Sequence, residues 1–192
     1  MPIRKIARMG HPVLQLVAKP VDDPTAPAIA ALAQDLIETC DDVGGNGIAA
    51  PQVYEPLRMF AYRVRTEIMP AGVTMREIPW TVCINPDIEF LGAERKLYWE
   101  RCLSLPGLYG QVPRVTHIRF SWTDLTGARQ TQIARGFHAR LLQHEYDHLE
   151  GVLYPSRMID LATLGFVSEL GPAAYPPLPR DAEDFVDPET SA

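Results

Sequence analysis

The sequence predicts an α+β fold: antiparallel β-strands packed around a central helix that carries an H-E-x-x-H pattern, with a further helix towards the N-terminus. Three observations lead there. Residues 26–41 and 137–150 repeat apolar positions at helical spacing. The stretch between them holds several runs that alternate in strand fashion. Those runs sit between the two helices rather than alternating with further helices.

In the first helical segment, APAIAALAQDLIETCD, Ile29, Leu32, Leu36, Ile37 and Cys40 fall on one face. Thr25 is the expected N-cap, Pro27 suits the first turn, and Gly44 or Gly45 ends the helix. A glycine-rich segment, GGNGIAAPQ (44–52), leads into LRMFAYRV, an apolar run read as a strand. Further strands are expected at TVCINPDIEF (81–90) and RKLYWERCLSL (95–105). Residues 114–134 read as a hairpin, because Ile118, Phe120 and Trp122 alternate and DLTG supplies the turn. Gly136 precedes the second helix, FHARLLQHEYDHLE, and Gly151 closes it. Residues 1–171 are expected to form one catalytic domain. From Pro172 the chain is rich in proline and acid and reads as an extended or disordered tail, 172–192.

The 192 residues suffice for one domain with a real core. A net charge of −6 and scattered cations argue against a nucleic-acid surface. Nowhere do eighteen apolar residues run together, so no membrane span is expected, and the first residues lack the apolar stretch of a signal peptide. Three distant cysteines do not make a disulfide framework, and a reducing cytoplasm is the expected compartment.

The chemistry is concentrated in QHEYDH (143–148). Residues four apart share a helix face, so His144 and His148 project together, with Glu145 one position round. Two imidazoles and an adjacent carboxylate suit a divalent ion and a general base. Phe137 and Leu141 extend the same stripe, which turns the histidines inward, where unpaired imidazoles are costly. A third ligand is needed. Tyr154 stands where a metzincin has histidine, and Glu169, Glu183 and Glu189 have no supporting context. The remaining candidates lie upstream: chiefly Cys102, then His11, His117 and His138.

GNGIAAPQ (45–52), ERCLS (100–104) and QHEYDH, in that order, resemble the three motifs of the peptide deformylases, and the resemblance spans about residues 1–160. It implies that Cys102, His144 and His148 bind a metal: ferrous iron, replaceable by zinc, nickel or cobalt, acting as a Lewis acid without redox work. It implies Glu145 as the proton carrier, with the Gln52 side-chain amide and the Leu103 backbone N–H as donors to the developing oxyanion. The substrate would be the N-terminal formyl-methionine of a nascent polypeptide, met near the ribosome exit, and the products formate and a free amine. Neither nucleic acid nor membrane is implied, and no oligomeric state. Gly45 and Gly47 would let an extended substrate run close to the backbone. Ile48, Phe137 and Leu141 fit either the methionine pocket or the core.

Arg101 departs from the family, which has glycine there. Either the backbone carries strain at that position, or the side chain lies on the cleft wall. Arg101 therefore keeps open a relative with altered substrate, a peptidase among them; a non-catalytic peptide binder is opposed by Glu145 and Gln52. Glu100 and Arg114 could form an ion pair holding the cysteine loop, and Arg140 could pair with Glu100 or Asp147 or face solvent.

Overall fold

Apolar alternation along the middle of the chain builds two antiparallel sheets. The computed structural model describes residues 3–65 and 77–170; the expected tail, 172–192, lies outside them. The elements are α1 (Pro27–Asp42), β1 (Gly47–Ala49), β2 (Met59–Val64), β3 (Ile78–Phe90), β4 (Arg95–Arg101), β5 (Leu108–Val115), β6 (His117–Thr123), β7 (Arg129–Arg135), α2 (Gly136–Leu149) and β8 (Gly165–Phe166). The larger sheet has the order β1-β2-β3-β6-β7 and the smaller β4-β5-β8. The α+β expectation holds. Helix α2 packs against β1, β2, β6 and β7 of the first sheet and against β5 of the second.

Strand β2 shows why the layers form. Met59 and Ala61 join the core that includes Leu32, Leu36 and Cys40 of α1. Phe60 and Tyr62 join the core that includes Leu142 and Leu149 of α2. A strand buried on both faces needs apolar residues at every position, which is the continuous run the sequence displays. Each fully buried large side chain of this kind contributes roughly 1.5–3 kcal/mol.

Three strands escaped the sequence reading. β1 has three residues, and β8 has two. β5, LYGQVPRV, contains glycine and proline, both strand breakers. It forms because it pairs along its whole length with β4, from Arg95↔Val115 to Arg101↔Tyr109. Its other edge is paired only at Leu108 and Tyr109, leaving room for a residue without N–H at Pro113.

The expected N-cap of α1 is corrected. Ala26 occupies that position without a side-chain bond, because the Asp23 carboxylate engages both the Thr25 N–H (2.9 Å) and hydroxyl (2.7 Å). Another unforeseen device is Asn85, at φ 48° within an irregularity of β3. Its side-chain amide accepts from the Val21 N–H and donates to the Val21 carbonyl, both at 2.9 Å.

The close of α2 came out as expected, with a spatial reason added. Gly151 has φ 68°, and a Cβ there would stand 2.6 Å from the Gln15 carbonyl oxygen. Gly151→Ala is therefore expected to destabilise the protein by about 1–3 kcal/mol in urea unfolding.

His138, one of the weaker ligand candidates in the sequence, is buried on α2. Its Nε2 lies 3.1 Å from the Tyr62 hydroxyl, which itself accepts from Gln132 (3.0 Å). Burial pushes its imidazole down to about 4. Between that value and the unfolded histidine near 6.5, the unfolded chain binds a proton that the native chain does not. Stability should fall as pH drops through this window, by up to roughly 3 kcal/mol. Urea midpoints across that range should fall less steeply in His138→Gln.

Candidate metal centre and active site

Strand β4 ends at Arg101, and the chain turns at once, with the Leu105 N–H closing on the Cys102 carbonyl at 3.0 Å. The turn aims the Cys102 thiol at α2. There it meets His144 and His148, and one ligand atom from each of the three lies within 4.8 Å of the others. The Cys102 Sγ to His148 Nε2 separation is 3.3 Å. Ligands at the usual ~2.0–2.3 Å from a tetrahedral ion stand about 3.5 Å apart, so a divalent metal fits among them. Burial would push the Cys102 thiol up, but His148 and His144 overcome that and hold it at about 5. The thiolate is the ligand form. His11, His117 and His138 lie outside this cluster: His11 accepts from the Val13 N–H, and the other two sit on β6 and in the sheet-facing core.

A buried ionic chain orients these residues. Arg114 on β5 donates to both carboxylate oxygens of Glu100, at 2.7 and 3.0 Å, and to Asp147 at 2.6 Å. Glu100 in turn lies 2.8 Å from His144 Nδ1. Holding Nδ1 in this way leaves Nε2 free to face an ion and raises its basicity. Burial disfavours the Glu100 charge, yet Arg114 and His144 keep its carboxyl well below the ordinary range. The Glu100–Arg114 pair suggested by the sequence is therefore present. Arg140 takes neither acid; it donates to the Trp99 carbonyl and lies over the Tyr98 and Phe137 rings.

Gln52 is almost fully buried. Its Oε1 accepts from the Ala49 N–H at 2.8 Å, which fixes the amide with Nε2 towards the Ser104 hydroxyl (3.1 Å) and the Cys102 sulfur (3.6 Å). Glu145 is buried, its Oε2 makes no hydrogen bond, and burial pushes its carboxyl up to about 7 against the pull of His144 and His148. Gly47 was expected to admit substrate; what lies against it is Glu145, whose Cδ would be 2.8 Å from a Cβ there and whose Oε1 would overlap it. Gly45 likewise leaves space for Cys40 Sγ, 2.6 Å from where its Cβ would be.

A groove of about 1250 Å³ opens over the site. Gly45, Gly47, Leu103, Phe137, Leu141 and Arg101 line it. Ile48 does not: strand alternation turns it away from Gly47's face into the core with α1, so its candidate role as pocket wall is corrected. Arg101 is exposed, and its backbone lies outside the left-handed region. The substitution for glycine carries no strain, and the side chain stands on the groove wall.

A family model described as polypeptide deformylase matches residues 3–163. The chain belongs to the polypeptide deformylase family. It is 42% identical over 183 residues to Peptide deformylase 2 of Ralstonia nicotianae, covering 95% of this chain and 99% of that protein. With Peptide deformylase 2 of Bordetella bronchiseptica the identity is 43% over 175 residues, 91% of this chain and 98% of the relative. Among solved structures, a class I type b peptide deformylase from Acinetobacter baumannii with Met-Ala-Ser bound superposes with a TM-score of 0.74 at 33% identity, over 82% of this chain and 99% of that one. The Thermotoga maritima deformylase gives 0.75 at 30% identity, over 83% and 100%. The family is metal-dependent, and Cys102, His144 and His148 are the residues here that fit an ion.

Sequence reasoning assigned nothing to Gln143 and offered Asp147 only as a partner for Arg140, yet both anchor the metal-helix motif. Gln143 accepts from the Val115 N–H (3.2 Å) and donates to its carbonyl (2.8 Å), while Asp147 holds Arg114 and Arg157. Helical spacing could have flagged Asp147, because it falls three residues after His144, on the flank of the inward stripe; its partners, Arg114 far upstream and Arg157 past the helix end, are not visible in that spacing. Glu100→Gln is expected to weaken zinc binding by roughly 10–100-fold in chelator competition while circular dichroism stays native. Gly47→Ala should instead lower kcat and leave zinc affinity within error, because it displaces the carboxylate rather than the ligands.

Proposed function

We infer that the chain hydrolyses the formyl group from the N-terminal formyl-methionine of nascent polypeptides, releasing formate, with Cys102, His144 and His148 as ligands of a ferrous ion. One observation carries the assignment of roles: a buried carboxylate with an unpaired oxygen, Glu145, stands beside three ligand atoms at the floor of a long groove. When bound, the ion would supply Lewis acidity, making water more acidic and the formyl carbon more electrophilic.

The remaining steps belong to the chain's own side chains. Glu145, with its carboxyl near 7, takes a proton from the attacking water and returns it to the departing amine. Gln52 Nε2, locked by the Ala49 N–H, donates to the oxygen on which charge develops, joined by the Leu103 N–H from the cysteine turn. A glutamine held by its own carbonyl needs no reorganisation when the charge appears. Phe137 and Leu141 supply apolar wall for the methionine side chain.

The peptide itself has a place to lie. β1 and β4 are edge strands of their respective sheets, and both border the groove. An extended chain can add to such an edge through main-chain bonds, independent of its side chains. That suits an enzyme acting on many different nascent chains, and we place its work in the cytoplasm near the emerging polypeptide. No helix among the described residues is long and apolar enough to cross a membrane. A peptidase with altered substrate is not favoured, given relatives near 40% identity that are peptide deformylases.

Formate release from formyl-Met-Ala-Ser tests these roles. Glu145→Gln should lose about 10²–10⁴-fold in kcat with the metal still bound. Gln52→Leu should lose about 10²–10³-fold, mainly in kcat. A Glu145→Gln enzyme as fast as the parent would remove the proton-carrier role. Stripping the metal with chelator should abolish turnover, and ferrous ion added anaerobically should restore more of it than zinc does.

A further inference from the structure

The groove is charged opposite to the molecule around it. The chain carries a net −6, yet Arg4, Lys5, Arg8, Lys96, Arg101 and Arg140 all line the groove. Among its described lining residues, Asp42 is the single exposed carboxylate; Glu100 and Glu145 are buried within the site. Several of these cations are already engaged. Arg4 pairs with Asp35 (2.8 Å) and Glu55 (3.6 Å). Arg140 lies over two rings, and Lys96 over the Tyr98 ring. Lys5, Arg8 and Arg101 are exposed and have no ion-pair partner among the described residues.

These three are held in place by backbone. Ala7, fully buried between Lys5 and Arg8, donates its N–H to the Gln52 carbonyl at 2.7 Å. Met9 donates to the Ser104 carbonyl at 2.8 Å. The N-terminal segment is thereby pinned to the two loops that carry Gln52 and Cys102. Arg101 immediately precedes Cys102 and is fixed by the β4–β5 ladder opposite Tyr109. At about 1250 Å³ the groove exceeds the roughly 300–1,000 Å³ typical of single-ligand sites, so residues beyond the formyl-methionine lie within it.

We propose that Lys5, Arg8 and Arg101 make this enzyme select formylated chains carrying aspartate or glutamate at the second and third positions after the methionine. The proposal rests on the formyl-hydrolase reading above and adds the substrate class. It acts on binding, since none of the three side chains belongs to the cluster where the bond breaks.

The experiment compares kcat/KM for formyl-Met-Ala-Asp-Asp, formyl-Met-Ala-Asn-Asn and formyl-Met-Ala-Lys-Lys amides on the metal-loaded full chain. At low ionic strength the acidic peptide should exceed the basic one by about tenfold, carried by KM, as three exposed charge contacts of a few-fold each allow. The ratio should shrink towards one at about 0.5 M salt, where screening is short-ranged. Lys5→Gln, Arg8→Gln and Arg101→Gln should each lower the ratio by about 2-fold, and the triple variant should nearly abolish it. Equal kcat/KM for the three peptides at low salt would overturn the proposal, as would a preference that the triple variant retains. Failure to turn over any of the three would instead overturn the formyl-hydrolase reading beneath it.

Discussion

Arg114 is the residue on which the site's geometry depends. Its guanidinium, almost fully buried, grips Glu100 of β4 with two hydrogen bonds and Asp147 of α2 with a third. Glu100 stands two residues before Cys102 in sequence and against His144 in space, while Asp147 precedes His148. One cation thus sets the cysteine turn, the helix and the histidine ring relative to one another. Removing one member of such a buried set typically costs about 3–5 kcal/mol, because the remaining charges are left without partners in a poor solvent for them. The two carboxylates lie either side of the guanidinium, so burial strengthens each contact as well as penalising a vacancy.

Five of the six residues of QHEYDH divide between two tasks. His144 and Glu145 line the groove and His148 completes the ligand cluster behind them, while Gln143 and Asp147 tie the helix to β5 and its neighbours. Tyr154, which stands where another metalloenzyme class would place a histidine, is buried and stacks on His144 at 6.3 Å between ring centroids. A ligand position in one architecture is a wall of the ligand pocket in this one. The motif is specific because nearly every residue in it is committed to a contact.

The site also reconciles opposite electrostatic demands within a few ångströms. Cys102 is drawn down to about 5, so that it is a thiolate, and Glu145 is raised to about 7, so that it can both take and give a proton. Burial raises both groups. What separates them is position: the cysteine sulfur lies directly against an imidazole, whereas Glu145 Oε2 has no hydrogen-bond partner at all. Gly47 keeps that carboxylate in place by having no side chain to displace it.

Much of this was legible in the amino-acid sequence. Periodicity located both helices, a continuous apolar run located β2, strand-like runs located β3 and β4, alternation located the β6–β7 hairpin, and helical spacing brought His144 and His148 to one face, because these are local consequences of backbone geometry. The resemblance of three motifs supplied Cys102 and Gln52. Other features depended on partners distant in sequence. β5 exists despite its glycine and proline because β4 pairs with it, and Asp23 takes the bond that would have made Thr25 a cap. Ile48 had two readings until strand β1 fixed which way it points. Arg101 carried a question of strain that only its backbone angle could answer. The sequence by itself determined the elements, the metal-helix face and the chemistry those residue types can do. Tertiary structure decided which groups are buried together, and with that the protonation of Cys102 and Glu145, the role of Arg114, and the positive lining of a groove in a negative protein, since burial and charge proximity are properties of the folded chain.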